Sequence, residues 1–152
     1  MKKITINKKE YTLEYTIEAS LYNDCSMAVM DTFVKSGMVQ EAAEENNVND
    51  TMQNLLETIA DMPSKALTLF YAGLLEHHGP EGDGSIQGIA DAKKLLAEYL
   101  KEKKKSFRDV FTEMIDLMAK DNFFDLIGLT GMVKEMEKET PSTETGKDTS
   151  EK

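Results

Sequence analysis

Two adjacent histidines head the stretch HHGPEGDGSIQG, His77 to Gly88, and Glu81, Asp83 and Ser85 follow within it. Imidazole, carboxylate and hydroxyl groups so close together could bind a metal or handle a proton. A helix-loop-helix calcium site needs oxygen ligands at the first, third and fifth loop positions, a glycine at the sixth, an apolar residue at the eighth and a bidentate carboxylate at the twelfth. With Gly84 as that glycine, Glu81, Asp83 and Ile86 fall in place, but the first position is Gly79 and the twelfth is Ala90. The two end ligands are missing, so calcium is not expected. Neighbouring histidines on a helix point about 100° apart, whereas helical zinc pairs sit three or four residues apart. His77 and His78 instead suit a helix C-terminus, where their positive end complements the dipole and Gly79 ends the helix. The run therefore reads as a helix stop and a flexible joint, with Ser85 a cap for the next helix.

No nucleophile, base and orienting partner stand in a recognisable order, and GPEGDG is neither a phosphate loop nor preceded by a strand. No catalytic, cofactor-binding or metal-ligating residue is expected. Methionine is the more informative chemistry, with 10 in 152 residues. Met114 and Met118, and Met132 and Met136, lie four apart beside Phe107, Phe111, Phe123 and Phe124. Met adapts its shape, so such a set either fills a helical core or grips an apolar helix of a partner. Both readings stay open; on the second, the contact residues are Phe107, Phe111, Met114, Met118, Phe123, Phe124 and Met132.

Twenty-eight acids against 18 basic residues give a net charge of −10. That charge opposes phosphate backbones and anionic lipid, so neither nucleic acid nor membrane is an expected partner. Residues 16–62 carry nine acids against Lys35 alone, which makes the first helical part the acidic pole. Cys25 is the only cysteine, which fits a reducing cytosol, and no window has the length of apolar chain that spans a bilayer.

The elements that must position these residues are mostly helices. KITINKKEYTLEYT alternates, with Ile4 and Ile6 and then Tyr11, Leu13 and Tyr15 at period two around Asn7-Lys8-Lys9, which predicts a β-hairpin within residues 1–15. From Thr16, a good N-cap, Ile17, Leu21, Ala28, Val29 and Phe33 recur at helical spacing until Gly37 offers a stop. Asp50 would cap a second helix through Asp61, and Pro63 would open a third, the most buried, with Leu67, Phe70, Tyr71 and Leu74 as its stripe. A fourth carries Ile89, Ala92, Leu96 and Tyr99 to KEKKK, and Ser106 caps a fifth. A sixth runs from Asp121 or Asn122 through Phe123, Phe124 and Met132 to Met136. The tail has no apolar residue large enough to anchor it. The expected architecture is a mainly α domain over residues 1–137, with about six helices, an N-terminal hairpin and a disordered tail over 138–152.

The segments KKITINKKEYTLEYTIEAS, ADMPSKALTLFYAGLLEHHG, DAKKLLAEYL and FTEMIDLMAKDNFFDLIGL resemble the tail assembly chaperones of long-tailed phages and prophages of Gram-positive bacteria, over about residues 1–131. The resemblance implies a non-virion, non-enzymatic protein of the host bacterial cytoplasm, absent from the mature virion. It would keep the tape measure protein soluble and help the tail tube (major tail) protein assemble around it, with self-association left open. Many members are also made in a longer form, by a backward ribosomal slip, whose extension recruits the tail tube protein. Thr145-Gly146-Lys147 suits a slippery G-GGA-AAR heptamer; slipping at Lys103-Lys104-Lys105 would cut the helical domain short. The alternative class is an acidic inhibitor or nucleic-acid mimic aimed at a basic host protein, which requires the acidic segment to form one continuous negative face.

Overall fold

A computed structural model describes the backbone of residues 1–44 and 48–129, and the side chains of 1–34 and 59–129. The period-two segment forms strands β1 (Lys2–Ile6) and β2 (Lys9–Leu13), paired antiparallel with Ile4 opposite Tyr11 and Ile6 opposite Lys9. Asn7 and Lys8 make the two-residue turn, both at positive φ (54° and 68°), the hand that matches the twist of the flanking strands. Ile4, Ile6, Leu13 and Tyr15 are buried, while the lysines face outward.

Helices follow, and their partition differs from the sequence expectation. The first predicted helix breaks at Tyr22 into α1 (Ile17–Leu21) and α2 (Asn23–Glu44), with Tyr22 in extended backbone geometry. Thr16 caps α1 as expected, its hydroxyl accepting from Glu18 N–H at 3.3 Å. Gly37 does not stop the chain, since continued helical bonding outweighs its modest entropic cost. The second and third predicted helices are one, α3 (Val48–His78), so Asp50 lies inside it rather than at a cap. Pro63 also lies inside α3 with its ring exposed; it leaves the Ile59 carbonyl without a helical N–H and crowds that carbonyl, a local cost that the continuous helix absorbs. After α4 (Ile89–Lys103), Lys104 closes the helix at φ 54°, and the lysines of the last turn complement its dipole. Ser106 and Asp109 form a reciprocal capping box on α5 (Phe107–Lys120). Asn122 at φ 60° leads into the short α6 (Phe123–Leu126). The reading of Met132 and Met136 as part of the last helix, and of 138–152 as a disordered tail, lies outside the described residues.

α3 is the spine, touching β2, α1, α2, α4 and α5. Its own Leu69, Phe70 and Leu74 pack with Tyr15, Met114, Met118 and Phe123 from its neighbours, all fully buried. Gly73 lets the hairpin approach. A Cβ there would stand 3.1 Å from the Tyr15 ring and hydroxyl, and the Gly73 carbonyl accepts Glu14 N–H at 2.9 Å. Tyr15 Oη donates to the Leu69 carbonyl at 2.6 Å, which satisfies the buried hydroxyl. A charged knot ties β1 to α4 and α5: Glu113 accepts from Lys2, from Tyr99 Oη at 2.9 Å and from Lys105 at 3.2 Å. Burial raises the Glu113 pKa, but these donors outweigh it and hold the carboxyl below its ordinary range.

Candidate functional site

The loop after α3 is tied at almost every residue. Thr12 N–H donates to His78 Nε2 at 2.9 Å, so that nitrogen carries its lone pair inward and the ring proton sits on Nδ1. Nδ1–H then points at Asp83 Oδ2, 3.0 Å away. The other oxygen, Asp83 Oδ1, accepts Ser85 N–H at 2.9 Å and Ser85 Oγ–H at 2.7 Å. These Ser85 bonds, the largest cause, pull the Asp83 pKa from 3.8 down to about 2. Backbone bonds from Asp83 to the His77 carbonyl and from Ile86 to the His78 carbonyl fold the loop back, and Ile86 plugs into the core. His77 Nε2 lies 2.7 Å from Glu14 on the segment after β2.

This geometry corrects the flexible-joint reading. The glycines do allow the turn, Gly84 at φ 76°, but Asp83 and His78 fasten it to the hairpin. Ser85 does not cap α4; Gly88 occupies the cap position, and Asp91 accepts Gln87 N–H at 2.9 Å. The Asp-His-Ser trio also differs from a hydrolytic relay. Ser85 Oγ and Asp83 both face Nδ1, at 3.5 and 3.0 Å, and Nε2 is capped by a backbone amide. No ring nitrogen is left to take the serine proton, so in this arrangement the trio fastens a loop rather than generating a nucleophile. Among the described residues no cluster of three or more His, Cys, Asp or Glu is arranged to hold a metal ion.

The Met and Phe residues separate into different places. Phe111, Met114, Met118 and Phe123 are buried in the core around α3. Phe107 is exposed, and Phe124 is half-buried with its ring edge-on to Phe33 at 5.8 Å. Met132 lies outside the described residues. The six described members of the set do not form a ready-made gripping face, because the α5 stripe Val110, Phe111, Met114, Leu117 and Met118 is consumed by packing against α3.

The uncovered apolar surface lies earlier in the chain. Ile17 and Leu21, expected on the inward stripe, are 63% and 70% exposed, because the break at Tyr22 turns α1 so that Ala19 faces the core. In α2, Cys25 and Val29 are buried, yet Met27 and Val34 are 68% and 58% exposed. At about 100° per residue, those two project roughly 160–180° away from the Cys25/Val29 side. Met27 also borders a groove of about 380 Å³ between α2 and α3, with Asp24, Asp31, Asp61 and Lys65 in its walls. Lys65 Nζ is held by Asp31 at 2.7 Å. The available sequence signal was the presence of Met27 and Val34 off the Cys25/Val29 stripe, which a search for a single stripe passes over.

No helix among the described residues is long and apolar enough to cross a membrane. Comparison with protein-family models, curated proteins and solved structures gives no match.

Proposed function

We propose that this protein is a phage tail assembly chaperone of the host bacterial cytoplasm, acting by binding alone. It covers apolar helices of the tape measure protein and releases them as the tail tube protein assembles around that client. The single observation carrying the reading is the uncovered apolar surface of α1 and α2, at Ile17, Leu21, Met27 and Val34. Exposed apolar groups on an acidic body suit a protein that must hold an aggregation-prone client and stay in solution itself. The likeness of the chain to that chaperone family gives the client its name. The binding surface favoured here is α1 and α2 rather than the Met/Phe set of α5, whose side chains are already occupied.

A longer form made by a ribosomal slip at Thr145-Gly146-Lys147 would add the part that recruits the tail tube protein. Reading the nucleotides there tests that part of the proposal: a Thr codon not ending in G, or a closed −1 frame, defeats this placement. For the main reading, co-expression with the neighbouring tape measure protein is the decisive experiment. The expected outcome is a co-purifying complex and a larger soluble fraction of the client, both diminished by Leu21→Asp. Absence of a complex together with unchanged client solubility defeats the chaperone reading.

A further inference from the structure

We infer that His78 is an acid-released latch: when its ring takes a second proton, β2 loses its tie to α3 at Thr12 and pivots about Glu14, with the rest of the fold in place. This device is independent of the chaperone reading. In a hairpin closed by a two-residue turn, Ile6 faces Lys9 and Ile4 faces Tyr11 as hydrogen-bonded pairs, so Thr12, opposite Lys3, turns its N–H away from β1. That amide receives its acceptor from His78 Nε2, at 2.9 Å. An imidazole nitrogen accepts only while it carries no proton, and histidine is the side chain that ordinarily changes charge between about pH 5 and 8.

The second proton has one place to go. Nδ1 already carries the first, toward Asp83 Oδ2 at 3.0 Å, so the second arrives on Nε2 and sets two N–H donors against each other. Either the ring or the strand must give, and the ring is the better held. Asp83 stays ionised in this range, its pKa held at about 2 by Ser85, and a charged ring strengthens the bond to that carboxylate. The other groups facing His78 are Tyr11 of β2, edge-on at 5.3 Å with Lys9 Nζ 5.2 Å from the tyrosine centroid, Ser85 Oγ at 3.5 Å from Nδ1, and the His77 ring at 6.4 Å. None of these is a carboxylate placed to receive Nε2–H. His77 acts the opposite way: its Nε2 lies 2.7 Å from Glu14, so protonation there makes an ion pair, and Glu14 N–H stays on the Gly73 carbonyl at 2.9 Å. Acid thus tightens the strand at Glu14 while releasing it two residues earlier, and Ile6 and Leu13 in the core keep the hairpin from leaving.

The test follows the full chain by NMR from about pH 8 to about pH 5, reading the ring-nitrogen shifts of both histidines and the amide exchange of Thr12 and Glu14. Protection at Thr12, corrected for the intrinsic pH dependence of exchange, is expected to fall about tenfold or more in step with the charging of His78, while Glu14 keeps its protection within about twofold. His78→Gln, whose amide oxygen accepts but does not titrate, holds Thr12 protection flat with pH, and His77→Gln leaves the fall at Thr12 in place. Unchanged protection at Thr12 while His78 charges, a His78 ring that stays neutral throughout the range, or a fall that persists in His78→Gln overturns the inference. So does an equal loss at Thr12 and Glu14, which would be the hairpin leaving as a whole, or a fall that vanishes in His77→Gln. The native chain and His77→Gln decide the matter by themselves if His78→Gln is too unstable to compare.

Discussion

Replacing His78 by Ala removes the acceptor for Thr12 N–H and leaves that part-buried amide facing an apolar gap. An amide so stranded costs about 1–3 kcal/mol. Loss of the ring that meets Tyr11 edge-on at 5.3 Å adds about 1 kcal/mol. The bond to Asp83 is left out of the sum because that carboxylate is 52% exposed and solvent can replace the imidazole. The total of about 2–4 kcal/mol lowers the melting temperature by about 5–15 °C for a chain of this size. Two further substitutions separate the ring nitrogens. Gln places an acceptor where Nε2 stood and recovers about half of the loss; Asn places a donor near Nδ1, strands Thr12, and behaves like Ala. Urea titrations of the four proteins, with amide exchange at Thr12 and nitrogen shifts of the His78 ring, provide the measurements. Asn equalling Gln, Ala within about 0.5 kcal/mol of the native protein, or a ring proton on Nε2 would refute the assignment.

Three other outcomes follow from the packing. Gly73→Ala destabilises by about 1–2 kcal/mol: helix propensity favours Ala by about 1 kcal/mol, but its methyl meets a Tyr15 ring anchored on Leu69 and packed on Phe123, so overpacking wins; a chemical melt showing net stabilisation would contradict this. Asp83, its pKa held at about 2 by Ser85, contributes stability that is complete above its unfolded value of about 4 and is lost as pH falls through about 2; Asp83→Asn should flatten melting temperature against pH in that window, and a variant keeping the native slope would assign it elsewhere. Burial pushes the Cys25 thiol up to about 12, so iodoacetamide at mildly alkaline pH should label it only as the protein unfolds, and rapid stoichiometric labelling of the native protein would show the site to be open.

Much of the fold was legible because its signals are local. Period two at Ile4, Ile6, Tyr11 and Leu13 marks the hairpin, and Ser106 marks a helix start, to which the structure adds the reciprocal bond from Asp109. The break at Tyr22 and the continuity through Pro63 were not legible. No Gly or Pro marks the first, and the second depends on α3 as a whole lying against β2, α1, α2, α4 and α5, neighbours that local sequence does not reveal. The loop from His77 was half legible. Its missing ligands argued against calcium, but a glycine-rich run does not disclose that one aspartate will hold two Ser85 donors and a histidine whose partner is 66 residues away. Met and Phe were least informative, since a helix stripe has the same composition whether it meets its own core or a partner. Phe111 and Met114 meet α3, while Met27, the same residue type as Met114, meets solvent.

The dependence of the hairpin on α3 sets an order of events during synthesis. A two-stranded hairpin by itself is marginal in water, and the groups that hold this one emerge late. Gly73 receives Glu14, His78 receives Thr12, Glu102 receives Asn7 and Asp121 receives Tyr15. At about 5–20 residues per second, the ribosome takes on the order of 5–20 s to deliver the last of them. Ile4, Ile6, Leu13 and Tyr15 wait for α3 during the first part of that interval, and the last tie, from Tyr15 N–H, waits for Asp121. A segment made before its partners is thus among the last to be secured, and nascent chains halted before Asp121 should be markedly more protease-sensitive near residue 15 than the finished protein.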